Sequence, residues 1–156
     1  MRVYRYLTEE ELNDILQGHT DNIGGNYYGM DNTFAYKKDK KYVHFFKKLS
    51  DIKYIRALKK WRIEQGHFPA TDFYICAFDV PAIILMLSSG EGVYYRSDEH
   101  LNGIKVKEYA LKNRLIKQNW LKSYVRDDLN AEFDSTRIKN DLSEIEERKN
   151  NHFRTI

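Results

Sequence analysis

The stretch Phe73-Tyr74-Ile75-Cys76-Ala77-Phe78 admits few environments. Its apolar character is nearly unbroken, so neither face of a strand built from it belongs in water. Asp79-Val80-Pro81 ends it, because proline cannot donate to a ladder. Such a strand is central, with partners on both edges.

Five shorter runs offer those partners. Val3–Leu7, Tyr42–Phe46, Val93–Arg96, Ile104–Ala110 and Trp120–Val125 all read as strands. Thr8-Glu9-Glu10-Glu11 is a capping box, with Thr8 as N-cap and Glu11 placed to reach back. Leu12, Ile15 and Leu16 continue it as a helix over 9–17, and Gly18 suits its C-terminal turn. Ser50-Asp51 caps a second helix through Ile52, Ile55, Leu58 and Trp61 or Arg62, ending by Gly66. Ala82–Leu87 is a short buried helix or a further strand. Residues 19–40, with Gly24, Gly25 and Gly29, read as a loop with at most a short strand near 34–36. The pattern predicts an α+β fold with a mostly antiparallel sheet of about six strands and flanking helices.

The 156 residues form one main domain, able to bury about two thirds of its unfolded surface. It spans 1–126 and is followed by a polar, acidic helical tail at 127–156, where eight carboxylates face five Lys or Arg. Leu129, Phe133, Ile138, Leu142 and Ile145 give that tail a loose apolar stripe. The single Cys76 excludes an intramolecular disulfide and Cys-based zinc sites, and points to a reducing compartment. The N-terminus has no apolar h-region, and no run is long enough to span a bilayer. The reading is a soluble, cytoplasmic protein with no membrane partner.

Charge is unevenly spread. Between Asp31 and Arg62 stand eleven Lys or Arg against three Asp, although the whole chain carries only +3. Most such runs are solvated faces. Here Tyr36, Tyr42, Phe45, Phe46 and Tyr54 interleave with the cations, as in single-strand binders that combine stacking platforms with cationic grooves.

The five histidines never make a His-x-x-x-His metal pair, so no metal site is expected. Neither Gly-x-Ser-x-Gly nor Gly-x-Gly-x-x-Gly occurs. Asp79 and Glu108 lack the spacing of an Asp…Glu-x-Lys nuclease. Two charged residues nevertheless fall where strand alternation expects apolar ones. Glu108 is in phase with Ile104 and Val106, and Arg5 is in phase with Val3 and Leu7. Each must be paired or line a cavity, because a bare buried charge is costly. For Arg5 the commoner outcome is a structural ion pair.

Arg5 in Tyr4-Arg5-Tyr6, the run Tyr42-Val43-His44-Phe45-Phe46, and Glu108 in Val106-Lys107-Glu108 stand in an order that resembles the ADP-ribosyltransferase fold. The likeness covers roughly residues 3–125, and its second strand is similar to that of the DNA-modifying DarT toxins. It implies a split sheet and an NAD-dependent transferase of toxin or anti-phage defence type. Glu108 would be the catalytic carboxylate, and Arg5, Tyr4, His44 and Phe46 would contact NAD. Tyr94, Tyr95 and Arg96, in the loop region before the late strand, would meet the acceptor. An antitoxin or regulatory protein is a further implied partner. No Ser-Thr-Ser occupies the second strand, where His44 and Phe45 stand instead. Val106 stands where arginine-modifying members carry Glu or Gln. The resemblance thus implies an RNA or DNA base or another protein side chain as acceptor, or a fold without activity.

Two other readings compete. One is a non-enzymatic nucleic-acid- or partner-binding module that uses the basic aromatic segment 36–62. The other is a partner-binding protein that uses the acidic tail at 127–150. Geometry discriminates: Arg5 and Glu108 facing one cleft favours the enzyme, and on opposite faces that reading fails.

Overall fold

In the computed structural model, which describes residues 1–24, 42–88, 91–95 and 105–154, six strands form one sheet. Along the chain they are β1 (Arg2–Thr8), β2 (Tyr42–Phe46), β3 (Phe73–Asp79), β4 (Glu91–Tyr95), β5 (Lys105–Lys112) and β6 (Leu121–Asp127). Four helices accompany them: α1 (Glu9–Leu16), α2 (Ile52–Glu64), α3 (Ala82–Ser88) and α4 (Ser135–Arg154). The strand order is β4-β5-β2-β1-β3-β6, and every described pairing is antiparallel. The α+β class and all six strands are as the sequence predicts. Ala82–Ser88 resolves as helix. The short strand expected near 34–36 lies outside the described residues.

The central position of β3 follows from its composition. It pairs with β1 from Arg2↔Asp79 to Thr8↔Phe73 and with β6 on its other edge, with a bulge at Ala77/Phe78. Cys76 and Phe78 enter a first core, while Phe73, Ile75 and Ala77 enter a second on the opposite face. The first core adds Val3, Leu7, Phe45 and Leu111 of the sheet, Leu12 and Ile15 of α1, and Leu85 of α3. The second adds Tyr6 and Phe46, Ile52, Ile55 and Leu58 of α2, and Ile138 and Leu142 of α4. Burying each such side chain contributes about 1.5–3 kcal/mol relative to exposure.

The C-terminal segment is therefore part of the domain and not a tail appended to it. Ile138 and Leu142, one helical turn apart, are both buried on the sheet. Glu146 accepts hydrogen bonds from Arg2, whose guanidinium also pairs with Asp79 at 2.6 Å. Before α4, Arg56 of α2 is buried against Asp127 at 2.8 Å and donates to the carbonyls of Asp128 and Ala131.

The glycine stops act as the pattern predicts. Gly18 (φ 79°) and Gly66 (φ 72°) adopt the left-handed conformation just past α1 and α2. The amide of His19 donates to the Asp14 carbonyl and that of His67 to the Arg62 carbonyl, which closes both helices. Asp51, in contrast, makes no side-chain cap; a 3-10 turn at Leu49–Asp51 runs directly into α2. Among the described residues no helix is long and apolar enough to cross a membrane.

Candidate functional site around Glu108

The sheet is open between two of its central strands. The described register of β1 with β2 is the single pair Tyr4↔Phe46, whereas β1 pairs with β3 along its whole length. Beyond Tyr4 the two strands separate, and the Arg5 side chain spans the gap. Its Nη1 donates to the carbonyl oxygen of His44 at 2.9 Å. Its Nη2 donates to Glu11 Oε1 at 2.6 Å, and its Nε lies 3.2 Å from both Glu11 oxygens.

Glu11 thus does something other than what its capping-box position suggests. The Thr8 hydroxyl accepts from the Glu11 amide, so the N-cap forms. The Glu11 carboxylate, however, turns to Arg5 and accepts a second hydrogen bond from the Gly24 amide at 2.9 Å. With the Glu11 side chain 3% exposed, this charge-assisted fork lies almost wholly out of water. Gly24 has φ 77°, the left-handed conformation that glycine adopts without a Cβ penalty.

Glu108 lies on β5, opposite Phe46 on one side and Gly92 on the other. Directly paired residues share a face, so Tyr4, Phe46 and Glu108 form one row across three strands. Glu108 is 1% exposed. Its Oε2 stands 3.8 Å from Nδ1 of His44, a diagonal neighbour on the same face. The apolar phase expected around Glu108 is only half the arrangement: Tyr109 and Leu111 are also buried, on the opposite face. On the Glu108 face the next two residues, Ala110 and Lys112, are half-buried.

The expected site residues are therefore only partly assembled. Glu108, His44, Phe46 and Tyr4 come together on one face. Arg5 does not: it follows Tyr4 in the strand, pairs with Cys76, and lies on the other face. Arg5 takes the structural ion pair that its strand position makes commoner, its fork committed to Glu11 and the β2 backbone, and does not join the other expected NAD contacts beside Glu108. Its link to the site is indirect, through the carbonyl of the residue whose ring faces Glu108. Tyr94 and Tyr95 lie on β4 opposite Val106 and Lys105. Arg96 and most of the loop before β5 lie outside the described residues.

The basic segment also divides. Arg56 is a buried structural partner, and Lys59 Nζ sits 4.9 Å over the Phe68 ring. Lys60 borders a depression that also holds Glu64, Asp72 and Asp127. Lys47 and Lys48 remain exposed at the end of β2, beside Tyr4 and near Lys139 of α4. Among the described residues no group of three or more His, Cys, Asp or Glu could hold a metal ion. No family model, curated protein or solved structure matches this chain.

Proposed function

We propose that the protein is an NAD-dependent ADP-ribosyltransferase of toxin or anti-phage defence type, with Glu108 as its catalytic carboxylate. The observation that carries the reading is the adjacency of the three strands that bear the family-like residues. Segments separated by dozens of residues become the neighbours β1, β2 and β5, with Tyr4, His44, Phe46 and Glu108 on one face. Arg5 lies on the opposite face, the placement that counts against the enzyme, so the reading rests on Glu108 and its neighbours without an Arg5 clamp.

NAD is a substrate in this reaction. As its nicotinamide–ribose bond breaks, the ring nitrogen takes the bonding pair and nicotinamide leaves neutral. The ribose becomes oxocarbenium-like. A fixed carboxylate at Glu108 stabilises that positive charge and accepts a hydrogen bond from a ribose hydroxyl, more strongly in a dry site than in water. The acceptor nucleophile then bonds to the anomeric carbon and gives up its proton. Arg5 acts as a positioning residue that fixes β2, and therefore His44, against α1. A carboxylate only 1% exposed meets NAD after an opening movement at this face. The acceptor is a nucleic acid or a protein side chain other than arginine.

The test is nicotinamide release from NAD by the purified protein, and transfer of labelled ADP-ribose to RNA, DNA and protein fractions. Glu108→Gln keeps shape and removes charge, and should lower the rate by about 10²- to 10³-fold with the fold intact. Full activity in a folded Glu108→Gln protein would refute the assignment.

The second reading, a binding module without catalysis, is favoured by one feature: a cationic depression next to the Tyr4 end of the same row.

A further inference from the structure

We infer that the depression bordered by Tyr4, Lys47, Lys48, Ser50, Ser135 and Lys139 binds the phosphodiester backbone of a single-stranded nucleic acid. Its volume is about 500 Å³, within the range of ligand-binding clefts. Lys47 and Lys48 come from the end of β2, and Lys139 comes from the first turns of α4. Two distant segments thus bring three ammonium groups to one concavity.

Among the described residues no carboxylate lines it. Two other depressions show the contrast. One mixes Lys60 and Arg126 with Glu64, Asp72 and Asp127; another mixes Lys122 and Lys149 with Asp79 and Glu146. Carboxylates share the lining with the cations in those places, whereas the described lining around 47, 48 and 139 holds cations and neutral groups. Asp134 is close in sequence, but its carboxylate caps α4 by accepting from the Arg137 amide. Asp51 feels the charge of Lys48 and is not part of the lining.

The chemistry fits a phosphodiester strand better than a compact pyrophosphate. Lysines are point charges without the planar fork that holds two phosphoryl oxygens at once. The hydroxyls of Ser50, Ser135 and Thr136 add donors that suit successive phosphates. Tyr4 is half-buried, and burial pushes its phenol above the ordinary tyrosine range, so it stays neutral. Its ring supplies the aromatic surface that single-strand sites pair with cations. Along the row, Tyr4 is two strand spacings from Glu108, about 10 Å. As an acceptor site the depression rests on the transferase reading; as a binding site it does not.

The experiment measures anisotropy of a fluorescein-labelled oligo(dT) of about a dozen nucleotides, between about 50 and 200 mM salt. The triple variant Lys47→Glu, Lys48→Glu, Lys139→Glu should bind about tenfold more weakly or worse. Its log–log salt slope should be less steep by about 2, the share of three phosphate contacts on a single strand. The control triple Lys60→Glu, Lys122→Glu, Lys149→Glu changes net charge equally and should weaken binding far less. A neutral triple to Gln at 47, 48 and 139 should fall between wild type and the Glu triple. Equal losses in both Glu triples would reduce the effect to net charge and overturn the site. So would unchanged binding, absence of wild-type binding at low salt, tighter binding of a duplex of equal length, or loss of NAD affinity alone. Because the readout is binding, failure of the chemistry at Glu108 would not move it.

Discussion

His44 Nδ1 stands 3.8 Å from Glu108 Oε2, a diagonal contact across the β2–β5 ladder whose register sets Phe46 directly opposite Glu108. That distance is too long for a hydrogen bond, and out of water it couples the carboxylate to the imidazole whenever the ring is protonated. The imidazole therefore bears on the charge of Glu108 without being fixed to it. Its own position is set from behind, by the hydrogen bond that its backbone carbonyl accepts from Arg5.

A double-mutant cycle reads this coupling. His44→Ala should reduce nicotinamide release, and by less than the roughly 10²- to 10³-fold loss from Glu108→Gln. The double variant should fall little below Glu108→Gln alone, because groups that act as a unit are not additive. Multiplied losses in the double variant would mean that His44 works independently of the carboxylate.

Arg5 gives a second prediction. Arg5→Ala leaves Glu11, with a side chain 3% exposed, bound only by the Gly24 amide, and should cost about 3–5 kcal/mol in urea unfolding. Arg5→Lys keeps the charge but cannot span Glu11 and the His44 carbonyl together. As a positioning residue it should lower kcat and leave KM for NAD nearly unchanged. A raised KM at constant kcat would return Arg5 to the role of a direct ligand clamp.

The placement of Arg5 relative to Glu108 marks the limit of what the chain discloses by itself. Alternation correctly puts Arg5 in phase with Val3 and Leu7, and Glu108 in phase with Val106. Which face of β1 matches which face of β5 depends on the registers Tyr4↔Phe46 and Phe46↔Glu108. A one-residue slip in either would reverse the answer, and no local pattern encodes it. Glu11 is hidden for a related reason, since a helix N-terminal glutamate reads equally well as a cap or as a pair partner. Lys139 lies too far along the chain from Lys47 for spacing to connect them. By contrast, the six strands and the stops at Gly18 and Gly66 follow from period and backbone chemistry within a few residues.

Alkaline pH offers a third prediction. The hydroxyl of the buried Tyr6 donates to Asp127 at 2.7 Å, and burial foremost, with the Asp127 charge, pushes its phenol well above the ordinary value. Below pH about 10 the phenol is protonated in both folded and unfolded chains, and its contribution is fully present. Above that, the unfolded chain releases a proton that the folded one retains, so stability falls by up to about 1.4 kcal/mol per pH unit. Tyr6→Phe should cost about 1 kcal/mol at neutral pH through the lost hydrogen bond. It should also flatten the decline between pH about 10 and 11 in urea titrations, leaving the parts due to the buried Cys76 thiol and to the Tyr4 and Tyr74 phenols, which are raised in the same direction.

The fourth prediction concerns α4, which composition alone presents as a separable acidic tail. Ile138 and Leu142 are each 3% exposed and pack with Tyr6, Phe46 and Ile75 in the second core. Leu142→Ala should cost about 2–5 kcal/mol, the transfer term plus the cavity it leaves. The loss should appear in one cooperative transition seen equally by helix and sheet signals. An independent tail would instead melt early, leaving the sheet's midpoint unchanged. Oligonucleotide binding should be lost along that same transition, because Lys139 reaches the cationic depression only while α4 is docked on the sheet. Binding that survived melting of α4 would place the cations responsible elsewhere.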